Sequence, residues 1–474
     1  MTTLECNLRR GLIAILGVVA VMGAAGITEA HVFHQASTLK YAVTIVGPLV
    51  LVALLLVGSP LALLTTVLIV AAPFAGFAMT LQGEHVPLLA PIILCAGIAA
   101  GFSKGRLTHR SALFSASVLF LLLLIVGVVE SPAVTDVVAT LTSLLAAAYF
   151  ASRLARTEGG LVTLAWAFLA SAVIQAAITV WESKTGHRLN LYGTAGSQTF
   201  GPGYFFNYGN ARVRPPGAFY DPDSLGNVLA IALPLGVGLL IHYVTRRRWR
   251  EVVIAGVGLT FVVIALEITL SRMSWIGATV GLIVILALVP QVGRRVLPLL
   301  AIIAIALVGI GVFGGQSTTI ERLDSITHPL NETGTGNGDV IRVAAWRSAL
   351  SIAGQHLLTG VGLQNVANLT AEKFQLGGTS AQGGNAQSVY LQLLAEGGVP
   401  ALCGLIVVLL ALRRDLVRVI RADRIWGAAL AGACAAMLLV WLTDVTIRYS
   451  GVAVLMGVLF GMVAGRSGSA QEAP

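Results

Sequence analysis

What most constrains this chain is the recurrence, from end to end, of apolar runs long enough to cross about 30 Å of hydrocarbon. Fourteen are legible, at roughly 11–27, 41–57, 61–80, 87–102, 111–129, 133–151, 161–181, 225–244, 252–270, 272–290, 296–314, 388–412, 425–443 and 447–465. Charge is scarce: Asp, Glu, Lys and Arg make up 11% of the 474 residues, against about 25% in soluble domains. So few charges cannot cover a water-soluble globule, and so much apolar surface excludes disorder. The alternating segments of about ten residues that mark a membrane β-barrel are absent. The expected fold is therefore an all-α polytopic membrane protein with about 14 transmembrane helices, or 12 if one pair is miscounted. Pro73, Pro91, Pro234 and Pro400 fall within spans, where a packed bundle re-satisfies the carbonyls they free.

The net charge of +9 would suggest nucleic acid in a soluble chain, but its distribution matters more here. With Arg9 and Arg10 placed inside, alternate connections carry Lys104, Arg106 and Arg110; Arg153 and Arg156; Arg246, Arg247, Arg248 and Arg250; Arg294 and Arg295; Arg413, Arg414, Arg418, Arg421 and Arg424; and Arg466. That is 19 of the 30 basic residues, a bias that places both termini in the cytoplasm by the positive-inside rule. The domain organisation expected is N-terminal spans over 1–160, a core over 161–465 and a cytoplasmic tail over 466–474. Four cysteines show neither metal spacing nor secreted-type pairing.

Two connections are long, about 182–224 and 315–387, and charge places both outside, as periplasmic loops that contain short helices. Long loops in a compact protein are usually functional or disordered; aromatic and basic residues favour function here. In the first, Phe200, Tyr204, Phe205, Phe206 and Tyr208 sit among glycines, a pattern that fits an interfacial aromatic belt or a sugar- or lipid-facing lip. Arg212 and Arg214 precede Pro215–Pro216, and Asp221–Pro222–Asp223 reads as a helix start with Asp221 as N-cap. In the second, residues 340–353 fit an amphipathic helix with Val343, Trp346, Leu350 and Ala353 on one face. Arg342 and Arg347 flank that stripe, about 140° apart, and an interfacial helix whose arginines snorkel accounts for it too. Arg272 lies at a span junction, and Glu267 and Glu396 are candidate partners for such arginines.

Arginine suits bidentate recognition of phosphate and keeps its charge at ordinary pH. Arg214, Arg272, Arg342 and Arg347 all fall at outer span ends or on outer loops, so a bundle that gathers them would make an anion site. A lipid-linked diphosphate is the natural anion at that depth. No Walker-type loop, HExxH or dinucleotide glycine pattern occurs, so no nucleotide, metal or other cofactor is expected. A donor carrying its own diphosphate leaving group points to glycosyl transfer outside the membrane.

RPPGAFYDPDSLGNVLAIALPL (214–235), SRMSW (271–275), IRVAAWRSALSIAGQHLLTGVGLQNV (341–366) and QSVYLQLLAEGGVPAL (387–402) resemble, in order and spacing, the bacterial O-antigen ligase and polymerase superfamily. The resemblance covers roughly residues 160–465. It implies a metal-independent inner-membrane enzyme that takes undecaprenyl-diphosphate-linked oligosaccharide and passes it to a glycan, lipid or protein acceptor in surface polysaccharide biosynthesis. Membrane lipids, a flippase and a chain-length regulator are the further partners implied. Arg214 matches the arginine ahead of the family's Gly–aromatic–acid–Pro motif, Arg342 the loop arginine before Trp346, and Arg272 the Ser–Arg at a span start. The candidates are thus Arg214, Arg342, Gln387 and Asp221 as catalytic groups; Arg212, Arg214, Arg272, Arg342 and Arg347 for the diphosphate; and Tyr204, Tyr208, Trp346 and Tyr390 facing sugar or lipid. The departure is Gln387, where ligases above all often carry His. A glutamine takes no proton at useful pH, which disfavours a ligase and leaves Asp221, Asp223, Asp339 or His328 as substitutes. His328 and His356 also read as ordinary loop histidines.

The rival readings are a transporter or flippase of lipid-linked sugars, a peptidoglycan-type polymerase, and a scaffold without catalysis. A transporter should show an internal repeat, and none is visible.

Overall fold

The computed structural model describes residues 60–74, 78–81, 84–87, 112–131, 134–185, 214–219, 221–290, 338–366, 368–369, 385–445, 447 and 449–472. The first two spans, nearly all of the fourth, the eleventh, and Tyr204, Tyr208, Arg212 and His328 lie outside the described residues.

The helices are α1 (Pro60–Ala71), α2 (Ala112–Val129), α3 (Val134–Ala155), α4 (Gly160–Thr185), α5 (Pro222–Thr245), α6 (Trp249–Ile268), α7 (Arg272–Leu288), α8 (Gly338–Gln355), α9 (Val389–Ala422), α10 (Arg424–Val440) and α11 (Ser450–Glu472). Among the described residues, six helices (α3, α4, α5, α6, α9 and α11) are long and apolar enough to cross a membrane, and α1, α2, α7 and α10 are shorter apolar helices. This is an all-α polytopic membrane architecture.

Three sequence expectations need correction. The third span does not run to residue 80: α1 ends at Ala71, a 3-10 turn covers Ala72–Phe74, and Ala78–Leu81 (β1) pairs antiparallel with Glu84–Pro87 (β2). Pro73, which has no N–H to donate, sits in that turn. α9 runs on to Ala422, ten residues past the expected end. In α8 the buried face is Ala345, Ala349, Ile352 and Ala353, whereas Leu350, assigned to the stripe, is 52% exposed. Small residues win the close contacts there, and the bulky leucine is turned out.

α5 is buried from Ser224 through Ile241, wrapped by α4, α6, α7 and α10. Glycine and alanine at its contacts allow this: an added Cβ at Gly238 would fall 2.5 Å from Ala429 Cβ of α10. The most extensive pairing is α3 with α11. There Gly457, Gly461 and Gly465, spaced by four, lie against the backbone carbonyls of Leu144, Ala148 and Ser152. Small residues at this spacing let helices associate by backbone approach where lipid removes the hydrophobic drive. On the outside, Leu122 and Ile125 of α2 and Val253, Ile254 and Val257 of α6 are exposed, as a surface solvated by hydrocarbon requires.

The helices alternate in direction, and the described charges sort by end. At one end Asp415 accepts from Leu113 N (3.0 Å), Ser467 Oγ (2.9 Å) and Arg418. There too Arg466 pairs with Asp423 (3.1 Å), and Arg424 Nε donates to Leu288 O. Arg246, Arg247 and Arg248 join α5 to α6 on that side, with Arg250 in the first turn of α6. The opposite end gathers the starts of α5, α7, α9 and α11 and the ends of α4, α6 and α10, together with α8.

α9 is broken where Gly397, Gly398 and Pro400 fall, with Gly398 at φ 68°. The segment after α8 uses the carbonyls that this break exposes. Val361 N donates to Ala395 O and Gly362 N to Glu396 O, both at 3.0 Å, while Val399 N donates to Leu357 O at 2.7 Å. On its other side Leu363 N donates to Gly127 O (2.8 Å), and Ser131 Oγ to Leu363 O (2.6 Å). The stretch after α8 is thereby clamped between α2 and α9.

Candidate functional site

The site begins at the turn before α5. Pro215 and Pro216 hold the approach extended. Gly217 N then donates to Glu182 Oε2 and Ala218 N to Gln175 Oε1, both at 2.9 Å. Two buried polar side chains of α4 thus fix this strand of backbone. Asp221 caps α5 as expected, accepting from Ser224 N (2.7 Å) and Ser224 Oγ (2.8 Å), so each of its oxygens is already engaged. Burial and the neighbouring Asp223 push the Asp221 carboxyl above its ordinary range.

Arg214 is buried, 7% exposed. Its Nε donates to Thr269 O in the α6–α7 turn, and its Nη2 pairs with Asp223 Oδ1, both at 2.7 Å. The charge of Arg342, from α8, also acts on Asp223, and the Ser271 side chain hydrogen-bonds it. Asp223 is thus paired with Arg214 and also feels the charge of an arginine some 130 residues further along the chain. One helical turn beyond Arg342, Trp346 Nε1 donates to Gln387 O at 3.1 Å, which ties α8 to the turn that starts α9. Gln387 adopts φ 46°, uncommon for a residue with a side chain. Its turn is held by Ala386 N to Gln392 Oε1 (2.6 Å) and by Gln392 Nε2 to Glu396 Oε1 (2.5 Å).

The α10–α11 connection closes the arrangement. Val389 N donates to Trp441 O at 3.0 Å, and Ser388 Oγ to the same oxygen at 3.4 Å. Three residues on, Asp444 accepts from Asn227 Nδ2 of α5 (2.8 Å, Oδ2) and from Val445 N (2.7 Å, Oδ1). The Ser274 hydroxyl lies 2.9 Å from both Asn227 Oδ1 and Ser271 Oγ, and its one proton serves one of them at a time. Burial, reinforced by the negative charges of Asp221 and Asp223, pushes the Asp444 carboxyl up to about 8.

Of the residues singled out in the sequence, Arg214, Arg342, Asp221, Trp346 and Gln387 come to this one end. Arg272 opens α7 beside Ser271, half-buried. Arg347 is exposed, turned away from the Trp346 side of α8. Tyr390 is drawn into helix packing, its hydroxyl donating to Leu438 O (3.1 Å) and its ring edge-on to Trp441. Asp339 lies in α8. Glu396 partners Gln392. Sequence reasoning missed Asp444, Asn227 and Ser274. The signal for Asp444 was an acid at the end of an apolar span in WLTDVT, passed over because only basic residues were followed along the connections.

Residues 257–406 match the family described as O-antigen ligase. The matched stretch carries Thr269, Ser271, Arg272, Arg342, Trp346 and Gln387. No curated protein matches the chain. The match covers 150 of the 474 residues, and the described apolar helices are those of a multi-pass membrane protein.

Proposed function

Taking as premise that the chain carries the O-antigen ligase family segment, we propose a metal-independent glycosyltransferase that extends or transfers a polyprenyl-diphosphate-linked glycan on the outer face of a bacterial inner membrane. The observation that carries this reading is that Arg214 pairs with Asp223 while the charge of Arg342, from α8, reaches the same carboxylate at one end of the bundle. That end is opposite the arginine-rich connections, so the positive-inside rule turns it outward.

The two arginines have different tasks. Arg214 spends its fork on Thr269 O and Asp223, so it orders the site. Arg342, brought in by the outer-loop helix, supplies positive charge where a diphosphate leaves, the electrostatic stabilisation that phosphate chemistry most needs. Arg272 stands at the same end as a second phosphate contact. Gln387 offers an amide to a sugar hydroxyl and no proton acceptor, which favours chain extension over ligation.

The test is reconstitution of the full chain in liposomes containing lipid-diphosphate-linked oligosaccharide. Growth of longer lipid-linked glycans is the expected result. Transfer to an added core lipid would instead show a ligase, and passage of donor between leaflets without a new glycosidic bond would show a transporter.

A further inference from the structure

We infer that Asp444 is the proton acceptor of the transfer, taking the proton of the incoming hydroxyl where α5, α7 and the α10–α11 connection meet. This rests on the glycosyl-transfer reading. In that reaction the acceptor oxygen bonds to the donor's anomeric carbon as the bond from that carbon to the diphosphate oxygen breaks. The electron pair leaves with the diphosphate, and the hydroxyl proton has to go to a base.

Geometry selects among the groups at hand. Gln387 cannot take a proton. Asp223 is held as a carboxylate partner by Arg214 at 2.7 Å, and the charge of Arg342 acts on it as well. Asp221 is committed to Ser224 N and Oγ as the cap of α5, and the charge of Arg214 acts on it. Asp444 is different: its described contacts are two neutral donors, Asn227 Nδ2 and Val445 N, one on each oxygen. No lysine or arginine among the described residues pairs with it, and each oxygen keeps a lone pair for a substrate hydroxyl. The groups that face it are the carboxylates of Asp221 and Asp223 from the start of α5 and neutral Asn227; the nearest α7 groups in the network, Ser271 and Ser274, are neutral. Burial and the two like charges therefore raise its proton affinity toward the working pH, where a general base is most effective.

The location agrees. Trp441, three residues before Asp444, receives the bonds of Ser388 and Val389. The turn of Gln387, whose carbonyl accepts from Trp346 of the Arg342 helix, therefore packs against the connection that carries Asp444. Asn227 fixes the carboxylate and is a positioning residue.

The experiment uses the reconstituted full chain with a lipid-diphosphate-linked oligosaccharide donor. The wild-type turnover should rise with pH and level off above about 8. Asp444→Asn should lower turnover at saturating donor by about a hundredfold or more, leave the donor KM within a few-fold, and abolish the rising limb. Asp444→Glu, which restores the acid, should recover part of the rate and the limb. Infrared titration of the same samples should show a carboxyl band lost near that pH in wild type and missing from Asp444→Asn. Turnover of Asp444→Asn within tenfold of wild type, or a persistent rising limb, overturns the role of Asp444 and leaves glycosyl transfer standing. A wild-type chain that forms no glycosidic bond while the band still titrates overturns the transfer reading, and the role falls with it.

Discussion

Arg214 makes two bonds toward two elements, Nε to the α6–α7 turn and Nη2 to Asp223 of α5. A lysine at this position carries the charge but has no second donor at the fixed fork spacing, so it can keep one of these partners. Arg214→Lys should cost about 1.5–3 kcal/mol, the worth of a hydrogen bond involving a charged group. Arg214→Met, which strands the Asp223 carboxylate, should cost more, about 3 kcal/mol at the low end for a broken buried pair. Thermal unfolding in detergent reads both, and equal stability of the three proteins would remove Arg214 from the framework of the site. Asp444 yields a prediction of opposite sense. Its carboxyl is raised from 3.8 to about 8 in the folded chain, so the unfolded chain releases its proton first. The stability it contributes is whole below about pH 4 and is lost as pH rises through about 8. Asp444→Asn should therefore melt above wild type at pH 9 and close to it at pH 4. A parallel pH dependence in the two proteins would mean that Asp444 titrates as an ordinary surface acid. The acid is thus held at a cost to stability, as groups retained for chemistry often are.

At the scale of the element, the decisive joint is the broken helix α9. Gly398 and Pro400 are visible in the sequence as a helix interruption, and Gly360–Val361–Gly362 as a turn. What one-dimensional pattern cannot show is that the second repairs the first. The carbonyls of Ala395 and Glu396 find Val361 N and Gly362 N instead of donors in their own helix. Gly360 lies so close that an added Cβ would sit 2.2 Å from Glu396 O, at φ 69°. Gly360→Ala thus forces backbone away from backbone, with positive-φ strain of about 1 kcal/mol or more on top. We expect the α8 segment to lift, moving Arg342 and Trp346 from the site. Hydrogen exchange over 357–363 should rise while that of α3 and α11 stays unchanged, and glycan transfer should fall at least tenfold. Unchanged exchange in this stretch would show that the clamp does not depend on the close approach.

For the whole molecule, the legible part was what periodicity and charge report. Apolar runs gave the helices, and the arginine-rich connections fall together at one end of the described bundle, away from Arg214, Arg342 and Asp444. Motif order gave Arg214, Arg342 and Gln387 as neighbours in function. Their partners were not legible, because Asp223 read as part of a helix start and Asp444 as a lone acid at a span end. That residues 214, 223, 271, 342 and 444 come to one end of the bundle depends on how distant helices pack, which no local pattern encodes. Orientation in the membrane follows from the same charge segregation and can be tested on the whole chain. In a variant without its four cysteines, a single cysteine at exposed Gln355, the last residue of α8, should react with a membrane-impermeant maleimide in intact spheroplasts. One at exposed Arg247, between α5 and α6, should react only after the membrane is opened, because moving that arginine cluster outward would oppose the bias that sets topology. The reverse labelling would put Arg342 and Asp444 on the cytosolic face, where a glycan already carried to the outer leaflet could not reach them, and the transfer reaction would have to be sought on the other side of the bilayer.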